Sequence, residues 1–258
     1  MHKLIKAPIE TFFRGVGYYP IRLNGVELRC DPHHVGWWRR ASLNQWEPHT
    51  FQILDRLLDR DRVFLDIGAW IGPTTLYAAK RCREVFCFEP DRTAYEHLLL
   101  NIRLNDLRNV VPFNVALGET DSTQTMGSFS TGSGDSTTSL LAHANGKDIS
   151  TVMGMRWQTW LDICKPPKVD VIKVDIEGGE FSLIPTMASY LAQNKPAVYL
   201  STHGPYLDAP RRQESLQRVA DVMRIYRRCF NEHFVPVSFD DLTTSETCNS
   251  FKSFIFTE

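Results

Sequence analysis

Apolar positions along the chain follow two different rhythms. Short, largely apolar runs at 63–67, 85–88, 110–115, 169–174 and 197–200 have strand length and no polar face, the pattern of strands buried on both sides. Between them lie stretches with helical spacing. Phe51, Leu54, Leu57 and Leu58 follow Pro48 and predict a helix to about residue 61, while Pro73 opens a second helix over 73–80. Tyr95, Leu98, Leu99 and Ile102 share one face of a third, introduced by Asp91 or by a Thr93/Glu96 capping box. Leu216, Val219, Ala220 and Met223 make a fourth. Near the start, residues 21–30 alternate around Asn24-Gly25, a dipeptide suited to a tight hairpin. At the other end, 234–239 and 251–256 predict a final antiparallel pair.

Alternating strands and helices predict an α/β fold with a doubly wound, mostly parallel sheet, helices on both faces and an antiparallel C-terminal strand. Residues 1–61 are expected to form a small β-hairpin and helix extension packed on a core domain spanning 62–258. One segment breaks the rhythm. Residues 118–139 are rich in Ser, Thr and Gly and predict a long mobile loop, favoured as a solvated insertion, with a lid or substrate loop over the strand ends as the alternative.

Composition narrows the function classes. With 258 residues the chain can bury a full core without staples, and its six cysteines contain no C-x-x-C pair, so they are expected as reduced thiols. A net charge of −1 gives no basic field for nucleic acid, and the arginines between 211 and 228 are interspersed with acids and expected on a solvated helix face. No apolar run reaches the roughly 18 residues of a membrane span, and no signal sequence stands at the start, so a cytoplasmic location is expected. The opening stretch, with Lys3, Lys6 and Arg14 among Leu4, Ile5, Ile9, Phe12 and Phe13, could touch a membrane surface, with packing on its own domain the favoured alternative.

In an open parallel sheet, ligands sit beyond the carboxyl ends of the strands, where strand order reverses. The first core strand ends Asp66-Ile67-Gly68-Ala69-Trp70-Ile71-Gly72, and Glu89 follows 23 residues after Asp66 at the end of the next strand, an acidic spacing suited to a ribose diol. Trp70 and Pro73 occupy positions where a dinucleotide fingerprint needs glycine, so a pyrophosphate is disfavoured. S-adenosylmethionine fits better, having a ribose and adenine without phosphate. Asp66 could attract its amino acid end or order the turn formed by Gly68, Ala69 and Trp70, and backbone N–H groups near Gly72 and Thr74 could receive its carboxylate. Glu89, with Pro90 beside it, would take the ribose hydroxyls, and Asn114, Val115 and Ala116 would frame the adenine.

These residues also carry a resemblance. DIGAWIGPTTLYAA from Asp66, CFEP, LLLNIRLN, NVALG at 114–118 and VIKVDIEGGE at 171–180 resemble FkbM-type S-adenosylmethionine-dependent methyltransferases over roughly residues 46–205. The resemblance implies a class I methyltransferase (Rossmann-like) fold and methylation of a hydroxyl, commonly on a glycan sugar or a polyketide-like metabolite, leaving S-adenosylhomocysteine. Trp70 stands where Asn is frequent in the family, and Ser201 where Glu is frequent.

A hydroxyl is a poor nucleophile at neutral pH, so a group must take its proton. His203, beyond the fifth strand, is the leading expected base, as a neutral imidazole. Asp175 and Glu177 lie beyond the neighbouring strand, and Asp175 is also placed to touch the cofactor. Lys173 points the same way as Asp175 and is expected to pair with an acid. Glu177 and Glu180 could alternatively serve as turn and helix N-terminal charges around Gly178-Gly179. No metal is required by this scheme; a divalent cation shared by Asp175, Glu177 and His203 is the alternative. Trp37 and Trp38 could form an aromatic platform for the acceptor, against burial of one or both in the core. A polyketide O-methyltransferase, a noncatalytic nucleoside-binding domain and an RNA methyltransferase are the competing readings.

Overall fold

The computed structural model describes residues 6–129, 134, 136–141 and 149–258, with side chains from residue 9. Lys3, Leu4 and Ile5, and residues 130–133 and 135 of the expected loop, lie outside the described residues.

Helix α1 (Lys6–Val16) precedes the hairpin β1 (Tyr19–Leu23) and β2 (Val26–Cys30), turned at Asn24-Gly25 with positive φ at both residues. Helices α2 (Val35–Ser42) and α3 (Pro48–Leu57) follow, the latter one turn shorter than expected because Leu58 is already extended. The core then alternates β3 (Val63–Ile67), α4 (Pro73–Ala79), β4 (Glu84–Phe88), α5 (Arg92–Leu104) and β5 (Val110–Phe113). Asp91, not the alternative capping box, caps α5 by accepting from the Ala94 N–H.

Next come β6 (Ala116–Gly118), β7 (Thr123–Ser128), β8 (Thr138–Ser139), β9 (Ser150–Arg156) and α6 (Trp157–Cys164). The chain returns through β10 (Val171–Val174), α7 (Glu180–Asn194), β11 (Ala197–His203), α8 (Ala209–Met223) and β12 (Arg228–Asn231) to α9 (Ser245–Asn249) and β13 (Phe251–Thr257).

Two expectations need correction. Residues 118–139 are not loop throughout: β7 pairs antiparallel with β9 in a small second sheet ordered β6-β9-β7-β8. Its Thr and Gln side chains make a polar strand, held between β9 and β8, that carries no hydrophobic signal. The strand partner of β13 is 228–231, not 234–239. Phe234 takes φ +58° and Pro236 has no N–H to donate, so that stretch turns and meets β12 only through a single antiparallel bridge, Phe230 to Pro236, without forming a strand.

The main sheet has the order β12-β13-β11-β10-β3-β4-β5, parallel from β11 to β5, with β13 antiparallel to both neighbours. The chain leaves β3 toward β4 and later returns to place β10 on the other side of β3, so strand order reverses between β3 and β10. Alternation along the strands divides the core. Val63, Leu65 and Ile67 pack with α6, α7 and α8, while Phe64, Val171 and Tyr199 pack with α3, α4, α5 and the N-terminal hairpin. Asp66, Lys173, Asp175 and His203 share parity with that second face, which brings them together under the N-terminal segment.

Among the described residues no helix is long and apolar enough to cross a membrane. All six cysteines are free thiols.

Candidate active site

The turn after β3 is pressed against the end of β10. Gly68 has φ +88°, and a Cβ there would fall 1.9 Å from the Asp175 carbonyl oxygen, so only glycine fits. Trp70 follows with φ +48° and donates its backbone N–H to Glu89 Oε2 at 2.8 Å. Glu89 Oε1 accepts from Asp91 N–H, also at 2.8 Å. Burial pushes the Glu89 carboxyl up to about 8 despite those two bonds.

Asp66 is fully buried and does not face a cavity. Its Oδ2 accepts from the Thr74 and Thr75 hydroxyls at 2.6 and 2.7 Å, fastening α4 to β3. Of the two roles expected for Asp66, the geometry supports ordering the turn. Lys173, in register with Asp66, stands 3.4 Å from Asp66 Oδ1 and 3.3 Å from Asp175 Oδ2, and donates to the Gly68 carbonyl at 3.3 Å. Burial opposes its charge, but Asp175 and Asp66 outweigh that and hold the ammonium above its ordinary range. Lys173 therefore pins the two strand ends. Asn114 does similar work, donating to the Glu89 and Pro90 carbonyls at 2.8 and 3.0 Å.

Two cavities meet over these strand ends. The narrower one is lined by Phe88, Glu89, Pro90, Val115, Ala116, Leu117, Met126, Leu140 and Ile176. The wider, of about 330 Å³, is lined by Trp46, Glu47, His49, Thr50, Lys173, Tyr199, Ser201, His203, Glu232, Phe251, Lys252 and Ser253. Gly68, Trp70, Ser136, Asp175 and Glu177 belong to both and form the partition. Ala69 and Thr74 reach the wider cavity; Gly72, at φ +99°, instead packs under Leu98 and opens α4.

At the partition, His203 Nε2 lies 3.4 Å from both Asp175 Oδ1 and Glu177 Oε2. Behind it, Glu180 Oε1 accepts the His203 backbone N–H at 2.7 Å and sits 3.2 Å from Nδ1. Burial opposes an imidazolium here, but Glu180, Asp175 and Glu177 together push His203 up to about 10. The neutral imidazole expected from the sequence is thus not what its neighbours favour, because three carboxylates surround one ring. Asp175 is held below the usual carboxylate range, Lys173 and His203 overcoming its burial. Burial raises Glu177 to about 7, with Asp175 adding to the effect and His203 opposing it.

Sequence reasoning missed Glu47. It stands at the rim of the wider cavity, where Oε2 accepts the Thr50 hydroxyl at 3.0 Å, and Thr50 in turn meets the Tyr199 hydroxyl at 2.9 Å. The Trp-Glu-Pro opening of α3 was the available signal, read only as a helix start. The placement of Trp37 and Trp38 follows the favoured core-packing alternative. Trp38 is wholly buried, its indole N–H donating to Asp31 at 3.0 Å. Trp37 packs edge-on against Trp46 and Trp70, and it is these two that line the cavity.

The profile of the Methyltransferase FkbM domain matches residues 66–232, more than half of the chain. The chain belongs to the FkbM methyltransferase family. Its class I α/β fold follows from the strand order and that membership. An uncharacterized protein of Methanocaldococcus jannaschii is 28% identical over 78 residues, an alignment spanning 30% of this chain and 30% of the relative. Among solved structures, the methyltransferase FkbM of Methylobacillus flagellatus KT is 16% identical with a TM-score of 0.48, over 76% of this chain and 43% of that one. M. jannaschii TYW2, solved in complex with AdoMet, is 13% identical with a TM-score of 0.45, over 93% and 85% of the two chains.

Proposed function

We propose that this chain is an S-adenosylmethionine-dependent O-methyltransferase acting on a sugar hydroxyl of a glycan or glycosylated precursor. The observation that carries the reading is the pair of cavities divided by Gly68, Trp70, Asp175 and Glu177, which gives a methyl donor and an acceptor separate compartments with one shared wall.

The narrower cavity suits the cofactor. Phe88, Pro90, Val115, Leu117 and Ile176 offer apolar surface for a purine. Each Glu89 oxygen accepts one backbone N–H and keeps a lone pair for a ribose hydroxyl. Asp175 and Glu177 supply negative charge for a sulfonium and an ammonium. When bound, S-adenosylmethionine supplies an electrophilic methyl group. The chain's own residues then orient the acceptor and exclude water, and a carboxylate oxygen of the Asp175, Glu177 and His203 set receives the hydroxyl proton.

The wider cavity favours a sugar over a polyketide. Glu47, His49, Thr50, Ser201 and Ser253 present hydrogen-bonding groups, while Trp46, Trp70 and Phe251 present aromatic faces, a combination that matches alternating hydroxyls and C–H groups. A cytoplasmic site of action belongs to the same proposal.

The test is calorimetric titration of the chain and of Glu89→Ala with S-adenosylhomocysteine. Micromolar binding, weakened at least about tenfold in the variant, is expected from the loss of two hydrogen bonds to the buried carboxyl. Absence of binding to folded protein would refute the cofactor assignment. Binding without turnover across a sugar panel would favour a noncatalytic nucleoside-binding domain.

A further inference from the structure

The residues that meet at the partition are arranged as a ligand set as well as a charge cluster. Two ligand atoms held at a tetrahedral angle about 2.1 Å from a divalent ion stand about 3.4 Å apart. His203 Nε2 stands 3.4 Å from Asp175 Oδ1 and 3.4 Å from Glu177 Oε2. The three ligand atoms all lie within 4.8 Å of one another.

The imidazole is enclosed with the two carboxylates. Its side chain is only 9% exposed, it lines the wider cavity, and Nε2 faces Asp175 Oδ1 and Glu177 Oε2 at ligand spacing.

The surroundings of each donor fit the same reading. A metal-bound histidine hands its other nitrogen to a carboxylate, which fixes the ring and raises its basicity. Glu180 Oε1 occupies that position at 3.2 Å from Nδ1 and also accepts the His203 backbone N–H at 2.7 Å, while Oε2 accepts the Gly178 N–H at 2.8 Å. On Asp175, Lys173 takes Oδ2 and leaves Oδ1 for the site. All three donors line the wider cavity, and three protein donors leave a position for water or substrate, as in catalytic metal sites.

We propose that Asp175 Oδ1, Glu177 Oε2 and His203 Nε2 bind one divalent first-row transition cation, whose open position receives the acceptor hydroxyl. Two carboxylates and one imidazole are the donor set for manganese, iron or zinc. The ion would lower the pKa of a hydroxyl bound to it. That role rests on the proposed methyltransferase reading, whereas the binding itself does not. A second cluster, Asp31 with His34 and His97, offers the same residue types. There, however, Asp31 Oδ1 already accepts from the His33 and His34 backbones and from the His34 ring, and Oδ2 from Trp38 and Asn101.

The test uses the full chain, stripped with a chelator and titrated with Mn²⁺ while free Mn²⁺ is followed by electron paramagnetic resonance. One ion per chain with micromolar affinity is expected. Glu177→Gln and His203→Gln should each weaken it at least tenfold, Glu180→Gln about tenfold through loss of the ring's support, and His34→Ala should leave it unchanged. Thermal melts confirm that each variant is folded. No uptake of Mn²⁺ or Zn²⁺ by the folded chain at millimolar ion, or undiminished affinity in Glu177→Gln and His203→Gln, would overturn the proposal. S-adenosylhomocysteine calorimetry on the same samples separates the two ideas: nucleoside binding without ion binding removes the cation site alone, and ion binding without nucleoside binding removes the cofactor reading alone.

Discussion

Gly68 and Asp175 meet backbone to backbone where strand order reverses, so closely that a single Cβ on Gly68 would lie 1.9 Å from the Asp175 carbonyl oxygen. That contact is what lets one wall serve two cavities, since a bulkier turn would part β3 from β10.

Gly68→Ala should therefore cost stability and binding together. The residue adopts φ +88°, about 1–2 kcal/mol unfavourable for an L side chain, and the steric overlap adds to it. A loss of more than about 2 kcal/mol in urea unfolding is expected, with S-adenosylhomocysteine binding impaired. An unchanged unfolding midpoint would show that the turn can move aside freely.

Lys173→Met should be worse for the fold than its volume suggests. The substitution leaves Asp66 and Asp175 facing each other without the cation between them. Removing one partner of a buried pair costs about 3–5 kcal/mol. A loss below about 1 kcal/mol would mean that water replaces the ammonium.

Asp31 makes a pH-dependent contribution outside the lining of the two cavities. Burial alone would raise its carboxyl, but hydrogen bonds from His34 and Trp38 and the nearby imidazoles hold it at about 2. The folded value is depressed, so the stabilisation is complete above the ordinary aspartate range and is lost as pH falls through about 2. The shift corresponds to about 2 kcal/mol. Asp31→Asn should lose at least that much at pH 7 and show a shallower fall in stability between pH 4 and pH 2. Parallel acid titrations of stability in the two proteins would refute this.

Trp46→Ala separates the cavities functionally. Trp46 lines the wider cavity and is absent from the narrower one. With a sugar acceptor, KM should rise about tenfold, equivalent to about 1.4 kcal/mol of lost contact, while affinity for S-adenosylhomocysteine stays within twofold. A matched loss of both would place Trp46 in fold support.

The sequence by itself determined the sheet and which polar residues stand at its carboxyl edge. Continuous apolar strands can only be buried on both faces, and Asp66, Gly68, Glu89, Asp175 and His203 fall at strand ends whatever the side chains later do. Local chemistry also settled the hairpin, because Asn24-Gly25 tolerates positive φ. Only the tertiary structure decided what each polar group does there. Asp66 turns inward to Thr74 and Thr75, and Lys173 becomes a pin between strands. His203 gains three carboxylates from one other segment, residues 175–180. Glu47 enters because α3 docks on Tyr199, more than a hundred residues away in sequence. Strand β7 was hidden for a related reason: its polar residues pair with β9 through backbone hydrogen bonds, which leave no mark on hydrophobic spacing. Periodicity records which side of an element faces the core; partners brought from distant segments, and the charges they impose, exist only once the chain has folded.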